Sequence, residues 1–123
     1  GTGGKLLTID IEPPVRNWHK EIPYPNVAFV TQDSLKVNFA EEIDLLFIDS
    51  DHHKAHVLSE LRKYGIWVRV GGRILLHDIT HSEYGKEITE AVNEWSKEVG
   101  IKNWQAYNVQ HGLGVIEVDH PLR

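Results

Sequence analysis

The chain has 123 residues, 41% of them hydrophobic, which is enough for one hydrophobic core and predicts a single domain over residues 1–123. Its 13 basic and 18 acidic residues give a net charge of −5, and no basic run occurs, so neither DNA nor RNA is expected as a partner. The absence of cysteine excludes disulfides and thiolate metal sites, and no apolar run approaches the ~20 residues of a membrane span. We therefore expect a cytoplasmic protein that does not bind membranes.

The first third of the chain predicts short buried strands. Lys5 to Ile11 and Val27 to Thr31 are apolar, partly β-branched runs, and four prolines lie between them. Val15 to Lys20 is predicted to form a short helix that starts after Pro14. Ile43 to Asp49 is apolar almost throughout, which predicts a strand in the middle of a sheet, without a solvated face.

A helix is predicted next, with Ser50 or Asp51 as its N-cap and Gly65 at its end. Its apolar positions lie on one stripe: Ala55, Leu58, Leu61 and Tyr64. Gly71-Gly72 then predicts a turn into a strand from Arg73 to His77.

The last third predicts a helix and a hairpin. Ser82-Glu83 opens the helix and Gly100 ends it, with Ile88, Ala91, Val92, Trp95 and Val99 on one face. Asn103 to Val109 and Gly114 to Val118 are predicted to pair as an antiparallel hairpin. The alternating order of strands and helices indicates an α/β fold, a doubly wound and mostly parallel sheet with an antiparallel ending.

Charged side chains that can bind metals follow two of the predicted strands. Asp49, Asp51 and the histidines 52 and 53 follow the first strand, while His77 and Asp78 end the second. A single helix connects the two strands, as in a β-α-β unit with parallel strands. Because ligands bind at the carboxyl ends of such strands, these residues form the candidate site.

Three runs in this half resemble the class I S-adenosylmethionine-dependent methyltransferases, which have a Rossmann-like fold. They are Leu45 to His52, Val70 to Asp78 and Tyr84 to Ile88. The branch they resemble is that of small-molecule O-methyltransferases, cephalosporin-hydroxylase-like and catechol-type enzymes among them. The resemblance implies S-adenosylmethionine as cofactor and a small hydroxylated molecule as methyl acceptor.

The resemblance also assigns a role to individual residues. It places Asp10 against the ribose hydroxyls of the cofactor, where a carboxylate can accept two hydrogen bonds. Asp33 and Ser34 stand where the family contacts the adenine, and Asp49 lies on the same cofactor-binding edge. His52 stands three residues after Asp49, the offset at which the catechol-type branch carries its base, and imidazole can accept a proton near neutral pH.

In the metal-dependent branch, a carboxylate that ends one strand and two side chains that end the next hold a divalent ion. The matching residues here are Asp49, His77 and Asp78. Oxygen ligands suit magnesium, whereas a histidine in the set favours manganese, iron or zinc. A divalent metal, magnesium or manganese, is therefore a further expectation.

The first strand and glycine-rich loop of the family have no counterpart before Asp10. The resemblance thus predicts a fold truncated at its N-terminus, with a gap in the sheet between the strands that end at Asp10 and Asp49.

Two other functions remain open at this point. One is a metal-dependent phosphoesterase, because Asp51-His52-His53 copies the short signature of the DHH family. The other is a non-catalytic fragment of the methyltransferase fold that forms a homo-oligomer across an exposed sheet edge.

Overall fold

The computed structural model describes residues 6–10, 27–49, 53–109 and 111–123. Its contacts divide the chain into two units, Gly1–Asn38 and Phe39–Arg123, and each unit is described by itself. The single domain over residues 1–123 stays a prediction. The helix predicted from Val15 to Lys20 lies outside the described residues.

The first unit contains two parallel strands, β1 (Leu6–Asp10) and β2 (Val27–Thr31). Leu6 pairs with Val27 at one end and Asp10 with Thr31 at the other. Both strands lie where the sequence predicts them. A 3₁₀ helix, Ser34–Lys36, follows β2.

The second unit is built on a four-stranded mixed sheet in the order β3-β4-β6-β5, with two α-helices. Its elements are β3 (Ile43–Ile48), α1 (Lys54–Tyr64), a 3₁₀ helix (Gly65–Trp67), β4 (Val68–His77), α2 (Gly85–Val99), β5 (Gln105–Tyr107) and β6 (Leu113–Glu117). Strands β3 and β4 are parallel, whereas β6 runs antiparallel to both β4 and β5. The predicted α/β class and the antiparallel C-terminal hairpin are confirmed.

The uniform apolar sequence of β3 predicts a strand in the middle of its sheet, and this prediction is wrong for the described sheet. Among the described residues it is an edge strand that pairs only with β4. Leu45 and Phe47 point to one face and are 59% and 53% exposed, whereas Ile48 on the opposite face is buried. The apolar run is therefore buried on one side only.

The predicted turn at Gly71-Gly72 is also corrected, because both residues lie within β4. The pairing with β3 jumps from Ile43↔Val68 to Leu45↔Arg73, so β4 carries extra residues in a bulge. Gly71 N donates a hydrogen bond to the Val118 carbonyl at 2.7 Å. The bulge thus stays fastened to the end of β6.

Helix α1 begins later than predicted, with His53 instead of Ser50 or Asp51 as its N-cap. The carbonyl of His53 accepts the first helical hydrogen bonds, from His56 N and Val57 N. The buried stripe is also shifted, because Ala55 is exposed and Val57 is buried. Leu58, Leu61 and Tyr64 are buried as predicted.

Helix α2 confirms the predicted buried face and the predicted end, but it begins at Gly85, with Tyr84 as its N-cap, instead of at Ser82-Glu83. It ends at Gly100, whose φ of 79° makes it a left-handed C-cap. Its buried side chains Ile88, Ala91, Val92 and Trp95 pack with those of α1 and of the sheet in one core. Among the described residues, no helix has the length and apolar character that crossing a bilayer would require.

Candidate functional site

The structure brings together three of the predicted site residues, Asp49, His77 and Asp78. Asp49 directly follows β3, His77 is the last residue of β4, and Asp78 comes next, so the parallel pairing of the two strands places all three at one edge. His77 Nδ1 lies 3.4 Å from Asp49 Oδ1 and 3.1 Å from Asp78 Oδ1. We call these three residues the Asp-His cluster.

The donor atoms of the Asp-His cluster fit a divalent ion. One atom from each residue lies within 4.8 Å of the other two. Adjacent ligands of an octahedral ion, at bond lengths of about 2.1–2.3 Å, are themselves roughly 3 Å apart. The 3.1 and 3.4 Å separations are close to that value. One imidazole nitrogen beside two carboxylates suits manganese, iron or zinc as well as magnesium.

The cluster is partly open to solvent and partly enclosed. The side chains of Asp49, His77 and Asp78 are 43%, 30% and 13% exposed. Asp78 has a φ of 65°, a left-handed conformation that is uncommon outside glycine. Its carbonyl accepts a hydrogen bond from His81 N at 3.1 Å, which closes the turn between β4 and α2.

The predicted cofactor-binding residues Asp10, Asp33 and Ser34 belong to the first unit, and their roles stay predictions. Asp10 is the last residue of β1, and its side chain lies outside the described part. Asp33 Oδ1 accepts a hydrogen bond from Leu35 N at 3.0 Å and so caps the 3₁₀ helix. The proposed base, His52, lies outside the described residues.

One feature of this edge escapes sequence reasoning, a group of three partly exposed rings from His81, Tyr84 and His111, which we call the ring group. The rings of His81 and Tyr84 stack, with centroids 5.0 Å apart and planes inclined by 26°. The ring of His111 lies 4.9 Å from that of His81, at 53°. The spacing of three between His81 and Tyr84 was the available signal, but His111 comes from a different loop.

Residues 1–79, nearly two thirds of the chain, match the family described as "Methyltransferase domain". The chain belongs to this methyltransferase family. The resemblance of its strand ends to class I S-adenosylmethionine-dependent methyltransferases is thereby confirmed.

The chain is also similar to individual members of the fold. It is 26% identical over 91 residues to "Uncharacterized protein R132" of Acanthamoeba polyphaga mimivirus, which covers 74% of this chain and 39% of that protein. The O-methyltransferase NovP superposes with a TM-score of 0.67 at 15% identity, covering 84% of this chain and 42% of NovP.

The methyltransferase MycE of the mycinamycin biosynthetic pathway, solved with Mg, SAH and mycinamycin VI, gives a TM-score of 0.65 at 14% identity. This match covers 96% of this chain and 37% of MycE. The chain therefore has a Rossmann-like methyltransferase fold and spans about two fifths of the length of these three proteins. The family match favours methyl transfer over the phosphoesterase alternative.

Proposed function

We propose that this chain is part of an enzyme that transfers a methyl group from S-adenosylmethionine to a hydroxyl group of a small molecule, with a divalent metal at the Asp-His cluster. The observation that carries the proposal is the convergence of Asp49, His77 and Asp78 at the carboxyl edge of β3 and β4. The family match supports methyl transfer. Similarity to NovP, an O-methyltransferase, supports an oxygen acceptor, and similarity to MycE, which was solved with Mg, supports magnesium.

S-adenosylmethionine supplies an electrophilic methyl group on a sulfonium. When the acceptor oxygen bonds to the methyl carbon, the sulfur–carbon bond breaks and the hydroxyl proton must leave. His52 is proposed to accept that proton, because an imidazole is a competent base near neutral pH. A divalent ion would lower the pKa of a hydroxyl bound to it.

Asp49, His77 and Asp78 are the residues proposed to hold that ion. His77 Nδ1 lies 3.4 Å from Asp49 Oδ1 and 3.1 Å from Asp78 Oδ1, so the three side chains are close enough to bind one divalent ion together. The short, fixed loop from His77 to His81 would then position the acceptor.

From the family resemblance, the residues proposed to contact the cofactor are Asp10, Asp33, Ser34 and Asp49. Asp10 would accept hydrogen bonds from the ribose hydroxyls, and Asp33 and Ser34 would contact the adenine. Since Asp33 Oδ1 already accepts from Leu35 N, its second carboxylate oxygen is the one proposed for the cofactor.

Isothermal titration calorimetry tests the cofactor and the metal separately. S-adenosylhomocysteine is titrated into the 123-residue chain and into the longest form that the gene encodes, and Mn²⁺ is titrated in a second series. We expect micromolar binding of S-adenosylhomocysteine by at least the longer form. Failure of both forms to bind it would refute the proposal.

For the metal, Asp49→Asn should weaken Mn²⁺ binding by roughly 10- to 100-fold, in line with the loss of a ligand or of its immediate partner. Asp119→Asn is the matched control. Asp119 follows β6 and pairs with His120 near the C-terminal end of α2, whereas Asp78 of the Asp-His cluster precedes the N-terminal end of that helix. Equal loss in both variants would mean that the metal does not bind at the Asp-His cluster.

A further inference from the structure

Two loops at the edge that carries the Asp-His cluster are fastened to each other. Thr80 N, in the loop after β4, donates a 2.7 Å hydrogen bond to the carbonyl of His111, in the loop before β6. A Cβ atom on Gly112 would lie 2.5 Å from Thr80 Oγ1, so the two loops pack without spare space. His111 is held with a φ of 71°, in the left-handed region. The backbone contacts thus fix the position from which the His111 side chain extends.

The ring of His81 is fixed by hydrogen bonds as well as by stacking. Its Nδ1 lies 3.1 Å from Glu83 N and 3.4 Å from Tyr84 N, and both N–H groups point to it as an acceptor. In the neutral imidazole the hydrogen is therefore on Nε2. These contacts lie in the turn before α2, hold the ring in one orientation and leave its π face for stacking.

The ring group lies beside the Asp-His cluster along the chain and across the sheet. His81 closes the turn that begins with the Asp78 carbonyl. His77 pairs with Leu113 in the β4–β6 ladder, which places His111, two residues before Leu113, beyond the carboxyl end of β4. His81 and Tyr84 are half-buried, whereas His111 is exposed and forms the open end of the group.

We propose that the ring group is the platform for the methyl acceptor, and that the acceptor is a planar aromatic molecule in preference to one with a saturated ring. The rings of the group are themselves spaced at 4.9–5.0 Å, one pair stacked and the other tilted, within the 4.5–7 Å range that aromatic pairs favour, and an aromatic acceptor would pack against the exposed ring of His111 in the same way. The three rings are held before any ligand arrives, so little side-chain entropy is lost on binding. The inference that the bound molecule is the methyl acceptor rests on the proposed function, whereas the inference that the ring group binds an aromatic ring does not.

The test compares phenol with cyclohexanol, which share a hydroxyl group and six ring carbons and differ in the π system. Each is titrated into the chain, and the imidazole resonances are followed by NMR. Phenol should bind roughly fivefold more tightly than cyclohexanol, the size expected of one aromatic pair. It should shift the resonances of His81 and His111. Equal affinity, or no shift with either probe, would overturn the proposal.

Two variants remove a ring while they preserve the backbone. His111→Asn keeps a residue that tolerates the left-handed conformation, and His81→Asn keeps a polar side chain whose oxygen can accept a hydrogen bond from Glu83 N. Both should abolish the preference for phenol. His120→Gln, which removes a histidine at the other end of α2, should leave it unchanged. Retained preference in His111→Asn would mean that the ring group is not the platform.

The proposed function fails separately from this inference. If phenol is preferred but S-adenosylhomocysteine does not bind, the ring group is an aromatic site and the methyl-transfer proposal is wrong. If the cofactor binds but phenol and cyclohexanol do not differ, methyl transfer stands and the aromatic acceptor is excluded.

Discussion

Both faces of the four-stranded sheet carry apolar side chains, but the two faces are covered differently. On one face, Ile74, Leu76 and Ile116 are fully buried beneath the two helices. On the other, Leu45 and Phe47 are more than half exposed. Strand pairing is the same for both faces, so the difference comes from the helices. We call them the covered face and the open face.

The sequence of a strand does not by itself determine which of its apolar residues enter the core. A strand with apolar residues on both sides is typical of a sheet covered by helices on both faces. In the described part of the second unit, α1 and α2 pack on one face only. The open face therefore carries apolar surface that contributes little to the stability of this unit.

The largest expected effect is that of Leu76→Ala on the covered face. Leu76 is completely buried, and its truncation leaves a cavity beneath the helices. The free energy of unfolding should fall by about 3 kcal/mol, as for other buried leucines. Urea denaturation followed by circular dichroism measures it. A loss below ~1 kcal/mol would show that the covered face is loosely packed.

The second effect concerns the loop that leads into β6. Gly112→Ala requires a φ of 91° from alanine and brings its Cβ within 2.5 Å of Thr80 Oγ1 and 2.7 Å of Ile79 Cγ2. The left-handed conformation and the crowding together should lower the free energy of unfolding by roughly 2 kcal/mol. The same denaturation experiment measures it. Unchanged stability would mean that this loop and the loop after β4 are not fastened as described.

The third effect tests the open face directly. Phe47→Ala should change the free energy of unfolding by less than ~1 kcal/mol, because half of the side chain is already in water. A loss as large as that of Leu76→Ala would erase the distinction between the faces.

The same strand gives a test of self-association. An unpaired, apolar edge strand is a surface for pairing with another chain, and a homo-oligomer is one of our sequence-based predictions. If it forms through β3, Phe47→Lys should lower the mass measured by light scattering, while Glu117→Lys on β6 should not. A monomeric wild-type chain would contradict the homo-oligomer.

The smallest effect is a pH dependence at the end of α2. His120 Nε2 donates to the carbonyl of Val99 at 2.8 Å, and Nδ1 faces the Asp119 carboxylate. The Val99 carbonyl, and then Asp119, raise the pKa of His120 above its usual 6.5, while the hydrogen bond to His120 lowers the pKa of Asp119. The charged imidazole also lies at the negative end of the helix.

Because the folded-state pKa of His120 is raised, its contribution to stability is complete below about pH 6.5 and is lost as the pH rises through the raised value. We expect the stability difference between the wild type and His120→Gln to shrink between pH 5.5 and pH 8.5. Glutamine keeps a donor for Val99 without the charge. Parallel denaturation curves of the two proteins across this range would contradict the assignment.

The sequence predicts most of this fold because its signals are local. The apolar stripe from Ile88 to Trp95 and the stop at Gly100 predict α2 correctly, and the hairpin follows from two short strands around a turn. The errors come from non-local features. Whether β3 is central depends on which elements cover it, and Gly71-Gly72 enters a bulge because Val118 bonds to it across the sheet.

The residues of the candidate site also differ in how far the sequence could predict their positions. The meeting of Asp49 with His77 and Asp78 follows from two adjacent parallel strands, which the sequence indicates. The ring group depends on the register of β4 with β6, and no local pattern determines that register. His111 therefore could not be placed next to His81 in advance.

Asp78 allows the contribution of its carboxylate to be separated from the shape of its loop. Its φ of 65° is a left-handed conformation that glycine adopts without strain and that aspartate and asparagine tolerate better than most residues. Asp78→Gly would therefore remove the carboxylate and keep the backbone of the loop, while Asp78→Asn would remove only the charge. A comparison of the two variants distinguishes what the charge contributes to ligand binding from what the rest of the side chain contributes.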